Sequence, residues 1–185
     1  MRSGVWDREQ ELVETFNSTR AKALALKSKW IDPRALERKQ GWIDTIVRTE
    51  ATHAVTLIWN PEDGWLGLEQ VQIEIARAHC RVDRALMKRN FNKLPVAQRT
   101  GYMGFIEHPE TNTHVHLAWR VPVEHHAHFE DVLKEWWGHL HPYGEATVKI
   151  IYDEAGWASY ISKDQWRAPR AEDAALLLAS HTISK

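Results

Sequence analysis

From residue 51 onward the spacing of apolar and polar positions changes several times, and each change marks an element. "ATHAVTLIWN" (51–60) is rich in β-branched and aromatic residues and stops at Pro61, which predicts a strand. Val71, Ile75, Ala78, Val82 and Leu86 recur at steps of three and four, one apolar stripe of a helix over 68–92. Arg77, Arg81, Arg84 and Lys88 form a second stripe roughly opposite, the pattern of a solvated helix face. "GYMGFIEH" and "THVHLAWRVP" predict two strands joined by the turn-rich "PETN". A helix over 125–138 stops at Gly138, and "ATVKIIYD" (146–153) alternates as a strand. A short helix covers 157–166, and a last helix, 171–181, follows Pro169. Before residue 51 the chain reads as two helices, 6–29 and 33–47, with Asp32-Pro33 supplying an N-cap and a first-turn proline.

The order strand, helix, strand, strand, helix, strand is a split β-α-β pattern. It predicts an α+β fold: an antiparallel sheet of ferredoxin-like (RRM-like) topology, helices on one face and the other face open. The expected organisation is an N-terminal helical extension (1–50), a main domain (51–168) and a C-terminal helix (169–185).

Composition narrows the setting. A chain of 185 residues has room for one domain with a sizeable core plus additions. The formal net charge of -1 means that a nucleic-acid partner would be held by a local patch, not by global charge. Cys80 is the sole cysteine, which excludes an intrachain disulfide and points to a reducing compartment, the cytoplasm. The charged N-terminus is unlike a secretory signal, and no apolar run reaches membrane-spanning length. Most of the ten tryptophans, Trp59, Trp119 and Trp157 among them, read as packing residues.

The chemistry is carried by histidines. Three His-x-His pairs occur, and spacing alone does not choose among them. His114 and His116 lie on a strand, where period two puts both on one face with Ala118 and Arg120. Val115, Leu117, Trp119 and Val121 then make a core stripe on the other face. Two imidazoles on one rigid strand are placed to share a metal ion. His139 and His141 flank a helix end before Pro142 and read as helix-end and loop residues, while His125, His126 and His128 open a helix and read as solvent-facing. The third ligand depends on hairpin register. A loop of Pro109–Asn112 sets Glu107 opposite His114, whereas a loop one residue shorter presents His108 instead. Glu107 is the preferred choice. Two imidazoles and a carboxylate suit Mg²⁺ or Mn²⁺ with positions left for water or substrate. In "GWASYISKD", Tyr160 and Lys163 stand three apart, neighbours on one helix face.

"THVHLAWR" and "YISK", in that order on this element pattern, resemble the HUH endonucleases, which include rolling-circle replication initiators (Rep proteins), relaxases and single-strand transposases. "AVTLIWN" is similar to the first Rep motif, and the resemblance spans residues 51–166. One tyrosine followed by this lysine looks more like Rep nucleases than two-tyrosine relaxases. The resemblance implies metal-dependent nicking and joining of single-stranded DNA through a 5′-phosphotyrosine. Tyr160 would be the nucleophile, Lys163 would sit beside the phosphate, and His114, His116 and Glu107 would hold the metal. Asn60 and Arg120 would contact the strand. No Walker A motif is present, so a helicase would be a separate partner. Three other readings stay open: a single-strand transposase of the same superfamily, a ferredoxin-like module that binds single strands without cutting, and a metal-dependent hydrolase that needs no Tyr160.

Overall fold

The computed structural model describes residues 33–60, 66–88, 91–108, 112–167 and 176–178. In chain order these form α1 (Pro33–Val47), β1 (His53–Ile58), α2 (Leu68–Met87), β2 (Gly101–Glu107), β3 (His114–Arg120), α3 (His126–Leu140), β4 (Glu145–Ile150), α4 (Glu154–Ile161), α5 (Lys163–Arg167) and β5 (Leu176–Leu178). Two compact units divide the chain, Met1–Glu37 and Arg38–Lys185. Of the first, only residues 33–37 are described; the expected helix over 6–29 lies outside the described residues. The second unit begins inside α1 rather than at residue 51, so the C-terminal part of that helix belongs with the sheet.

The strand order is β4-β1-β3-β2-β5, and every neighbouring pair is antiparallel. β1, β2, β3 and β4 with α2 and α3 are the split β-α-β arrangement of an α+β fold. The stripe on β3 divides as its alternation predicts. Val115, Leu117, Trp119 and Val121 enter a core with Val55, Leu57 and the buried faces of α2 and α3, including Val71, Ile75, Phe129 and Trp137. The arginine stripe of α2 therefore belongs to a helix packed on the face opposite His114 and His116.

Four expectations need correction. The second sheet face is not open. Met103, Phe105 and Ala118 form an apolar patch there, and Ile46 of α1 with Ala158 and Ile161 of α4 cover it. Trp42 of α1 meets Phe105 edge-on, with ring centroids 5.2 Å apart. An apolar patch of that kind needs a cover, and β2, buried at every position, carries apolar residues on both faces. The expected helix over 171–181 contains a strand instead, because Leu176–Leu178 pairs with β2. A run of three leucines suits a helix stripe or a buried strand equally. Pairing satisfies backbone groups that an edge strand would leave free. The single helix over 157–166 is two, α4 and α5, broken at Ser162. His126 is half-buried rather than solvent-facing: its Nε2 lies 2.8 Å from the Val121 carbonyl, and its ring meets His53. Elsewhere only ends move. α2 stops at Met87, and α3 continues through Gly138 to Leu140.

Among the described residues no helix is long and apolar enough to cross a membrane.

Gly104 has a particular role in this sheet. A Cβ placed there would lie 2.0 Å from the His116 carbonyl oxygen and 2.8 Å from Leu117 Cα. Both are backbone atoms of the paired strand, which cannot yield without breaking the ladder. Gly104→Ala should lower the unfolding free energy by about 2–3 kcal/mol, read from the urea midpoint at unchanged slope. A midpoint within error of the wild type would mean that β2 and β3 do not pack this closely.

His53 makes stability depend on pH. Its ring is buried between His126 and Phe129, at centroid distances of 5.0 and 4.8 Å. Burial first, and His126 second, push its pKa down to about 4 against an opposing pull from Glu130. A histidine near 6.5 when unfolded binds more protons unfolded than folded between those values. Its contribution is therefore complete above about pH 6.5 and is lost as pH falls toward 4. The denaturation midpoint should fall across that window. His53→Phe should flatten the fall without abolishing it, because burial lowers His116 and His141 as well.

Candidate metal and nucleophile site

The site forms where β2 ends and β3 begins. The ladder pairs Glu107 with His114 and, through β1, Thr56 with His116. Cross-strand partners share a face, so the register brings Glu107, His114, His116 and Thr56 together. This is the pairing that the four-residue hairpin loop required. His108 arrives as well, by a different route. It takes a left-handed backbone, φ 48°, which ends the strand's alternation and brings its ring within 5.4 Å of His114. One atom each of Glu107, His108 and His114 lie within 4.8 Å of one another, close enough to hold a metal ion. Glu107 and His108 therefore both reach the site, rather than one in place of the other.

The hydrogen bonds aim the imidazoles inward. His114 donates from Nδ1 to the Asn112 carbonyl at 2.9 Å, so that in the neutral ring the lone pair is on Nε2. That Nε2 faces Glu107 Oε2 at 3.3 Å. A lone pair and a carboxylate oxygen at that separation repel unless a cation or a proton lies between them. His116 shares a hydrogen bond from Nδ1 with Thr56 Oγ1 at 2.9 Å, and its Nε2 stands 3.7 Å from the same carboxylate oxygen. That nitrogen is buried and has no hydrogen-bond partner. A buried polar atom without a partner is costly in a finished core and ordinary in a metal ligand. Burial pushes the His116 pKa down to about 4, with His114 and Lys163 adding to the effect against Glu107, so the ring is neutral near pH 7 as a ligand must be. Donor set, tautomer and orphaned nitrogen all fit a divalent ion.

The second half of the site comes from α4 and α5. Asp153 caps α4, its Oδ1 accepting from the Gly156 N–H at 2.8 Å. A Cβ at Gly156 would fall 2.1 Å from the capping carboxylate, so a larger residue there would push the cap aside. Ala158 and Ile161 bury one side of the helix. Trp157 donates from Nε1 to the Leu117 carbonyl at 3.3 Å, tying α4 to the back of β3. Tyr160 stacks on Trp157 at a centroid distance of 5.4 Å and meets His116 edge-on at 5.1 Å. Its side chain is partly exposed, open to a large substrate. Beyond the break at Ser162, Lys163 turns back, its ammonium 4.5 Å from the Tyr160 ring centroid and ion-paired with Glu107 Oε1.

Five of the seven residues singled out from sequence thus meet in one place: Glu107, His114, His116, Tyr160 and Lys163. The other two do not. Asn60 donates to the Tyr143 carbonyl at 3.1 Å and lines a separate hollow with Trp59 and His141. Arg120 is at the far end of β3 from His114, roughly 20 Å along the strand, where it donates to the Val96 carbonyl at 3.0 Å. Thr56 was missed, although the alternation of β1 puts it on the histidine face. Trp157 was read as packing only; it also orients Tyr160. Comparison with protein-family models, with curated proteins and with solved structures finds no match to this chain.

Lys163 occupies one oxygen of the carboxylate that a metal ion would need. Its removal should tighten Mn²⁺ binding by roughly fivefold, the effect of ~1 kcal/mol of relieved charge repulsion in a partly solvated site. Calorimetric titration of Lys163→Gln checks this, and Glu107→Gln should weaken binding by at least ~10-fold. Unchanged affinity in Lys163→Gln would mean that the ammonium does not compete for this carboxylate.

Proposed function

We propose that this chain is a metal-dependent nuclease of the HUH type, which nicks and rejoins single-stranded DNA through a covalent link to Tyr160. The observation that carries the reading is the meeting around one buried carboxylate of two imidazoles, a lysine and a partly exposed tyrosine. Glu107 and His114 would hold the ion together with His108, whose ligand atom converges with theirs within 4.8 Å, and His116, its Nε2 3.7 Å from the same carboxylate, would complete the set. Mg²⁺ or Mn²⁺ is the ion that the resemblance to HUH nucleases implies, and one carboxylate beside imidazoles leaves Mn²⁺ the better match of the two. The ion supplies positive charge against the scissile phosphate as negative charge develops there.

Tyr160 Oη attacks phosphorus, and the P–O3′ bond breaks. The phenol proton passes to water, and the departing 3′-oxygen takes a proton from water. The products are a 5′-phosphotyrosine and a free 3′-hydroxyl. Lys163, beside both the ring and the carboxylate, steadies the developing phenolate and the phosphate as a point charge. Trp157 holds the ring in place. Rejoining runs the same exchange backwards, a 3′-hydroxyl displacing the tyrosine oxygen from phosphorus. A Rep-like role in rolling-circle replication or mobile-element processing in the cytoplasm, with a separate helicase opening the duplex, accords with this chemistry. A binding module that uses an open sheet is less well supported, because α1 and α4 cover the middle of the histidine face.

The test is an SDS-resistant adduct between the protein and a randomised single-stranded DNA pool in Mn²⁺. Wild type should form it, while EDTA or Tyr160→Phe should abolish it. An adduct that persists in Tyr160→Phe overturns the nucleophile assignment. DNA binding without any adduct from the wild type favours the non-cutting module.

A further inference from the structure

Between the end of β4 and α4 the surface opens into a cleft of about 310 Å³, lined by Lys149, Ile150, Tyr152, Trp157 and Tyr160 among others. Tyr160 belongs to this cleft and to the metal site at once, since the same ring meets His116. The lining is unusual for a surface. Tyr152 is 99% exposed, Ile150 60% and Tyr160 47%. The other exposed large hydrophobics among the described residues are scattered over separate elements, whereas these three gather at one opening. Trp157 forms a wall whose position is set by its bond to Leu117 and its stack on Tyr160. Lys149 adds an exposed ammonium at the rim. The one acid of the lining, Asp153, is turned to its own helix as the cap of α4. The volume is at the low end of the ~300–1,000 Å³ of ligand pockets, which suits a single nucleotide.

We propose that this cleft receives the base of the nucleotide adjoining the phosphate that Tyr160 attacks, with Tyr152 closing on the face of the base and Lys149 meeting the neighbouring phosphate. The inference rests on the nuclease reading above and extends it to how the strand is held. An aromatic side chain free in solvent beside a fixed tryptophan is a stacking platform, tolerant of sequence because every base has a π-face. A base seated there fixes the strand on one side of the reacting phosphate, so Tyr152 and Lys149 are positioning residues.

Two readouts test it. Anisotropy of a fluorescein-labelled randomised single-stranded oligonucleotide in EDTA measures binding without chemistry. Sequencing the DNA captured in the Mn²⁺ adduct measures base preference beside the link. Tyr152→Ala should raise Kd by roughly tenfold and flatten the preference at one position adjoining the link. Lys149→Ala should raise Kd and reduce its salt dependence. Tyr143→Ala, an equally plain loss of an exposed tyrosine elsewhere, should match wild type. Tyr152→Ala that binds as tightly as wild type, or whose captured DNA keeps the same preference, overturns the proposal while leaving the nuclease standing. No adduct from wild type, with binding still dependent on Tyr152, sinks the nuclease and supports the cleft as a base-binding site.

Discussion

The pairing of β2 with β3 is the constraint on which the rest of the structure depends. Seven consecutive pairs, from Gly101 with Arg120 to Glu107 with His114, lock the two strands together. A slip of one residue would turn Glu107 into the apolar core beneath α2 and α3 and take Phe105 out of the patch that α1 and α4 cover. The close approach at Gly104 holds the strands at the distance this pairing needs. Both faces depend on the same register. One buries Trp119 and Leu117 beneath α2 and α3, and the other presents His114, His116 and Glu107.

A buried carboxylate explains the arrangement around it. Glu107 is 7% exposed, and an isolated charge there would be strongly unfavourable. The protein answers with Lys163 on one oxygen and two imidazoles near the other. This requirement ties the end of β2 to Lys163 at the start of α5, 56 residues away in sequence. The helix break at Ser162, whose hydroxyl returns to the Ala158 carbonyl at 2.7 Å, lets Lys163 turn back toward the sheet. The position of Lys163 therefore follows from the electrostatics of the carboxylate as much as from helix geometry.

Much of this was legible in residues. Alternation on β3 separated the histidines from the core stripe, because a strand's period is two whatever surrounds it. The Glu107 partnership followed from counting loop residues. Other features were hidden for physical reasons. The cover of the second face depends on α1, whose apolar positions do not say which surface they will meet. β5 depends on an edge of β2 that exists only once the sheet has formed. His108 reaches the site through a left-handed turn, which residue type only weakly signals. Asn60 and Arg120 carried suitable chemistry, but their neighbours claimed it.

The sequence by itself determined the periodicities, hence the α+β element order, the two faces of β3 and the short spacing between Tyr160 and Lys163. Those are local properties, set by backbone geometry within a few residues. Only the tertiary structure decided that α4 crosses the histidine face, that Glu107 takes Lys163 as its counter-ion and that Tyr152, Trp157 and Tyr160 surround one cleft. Those are long-range outcomes, in which burial of apolar area and neutralisation of a buried charge select one packing among the many that the same local preferences allow.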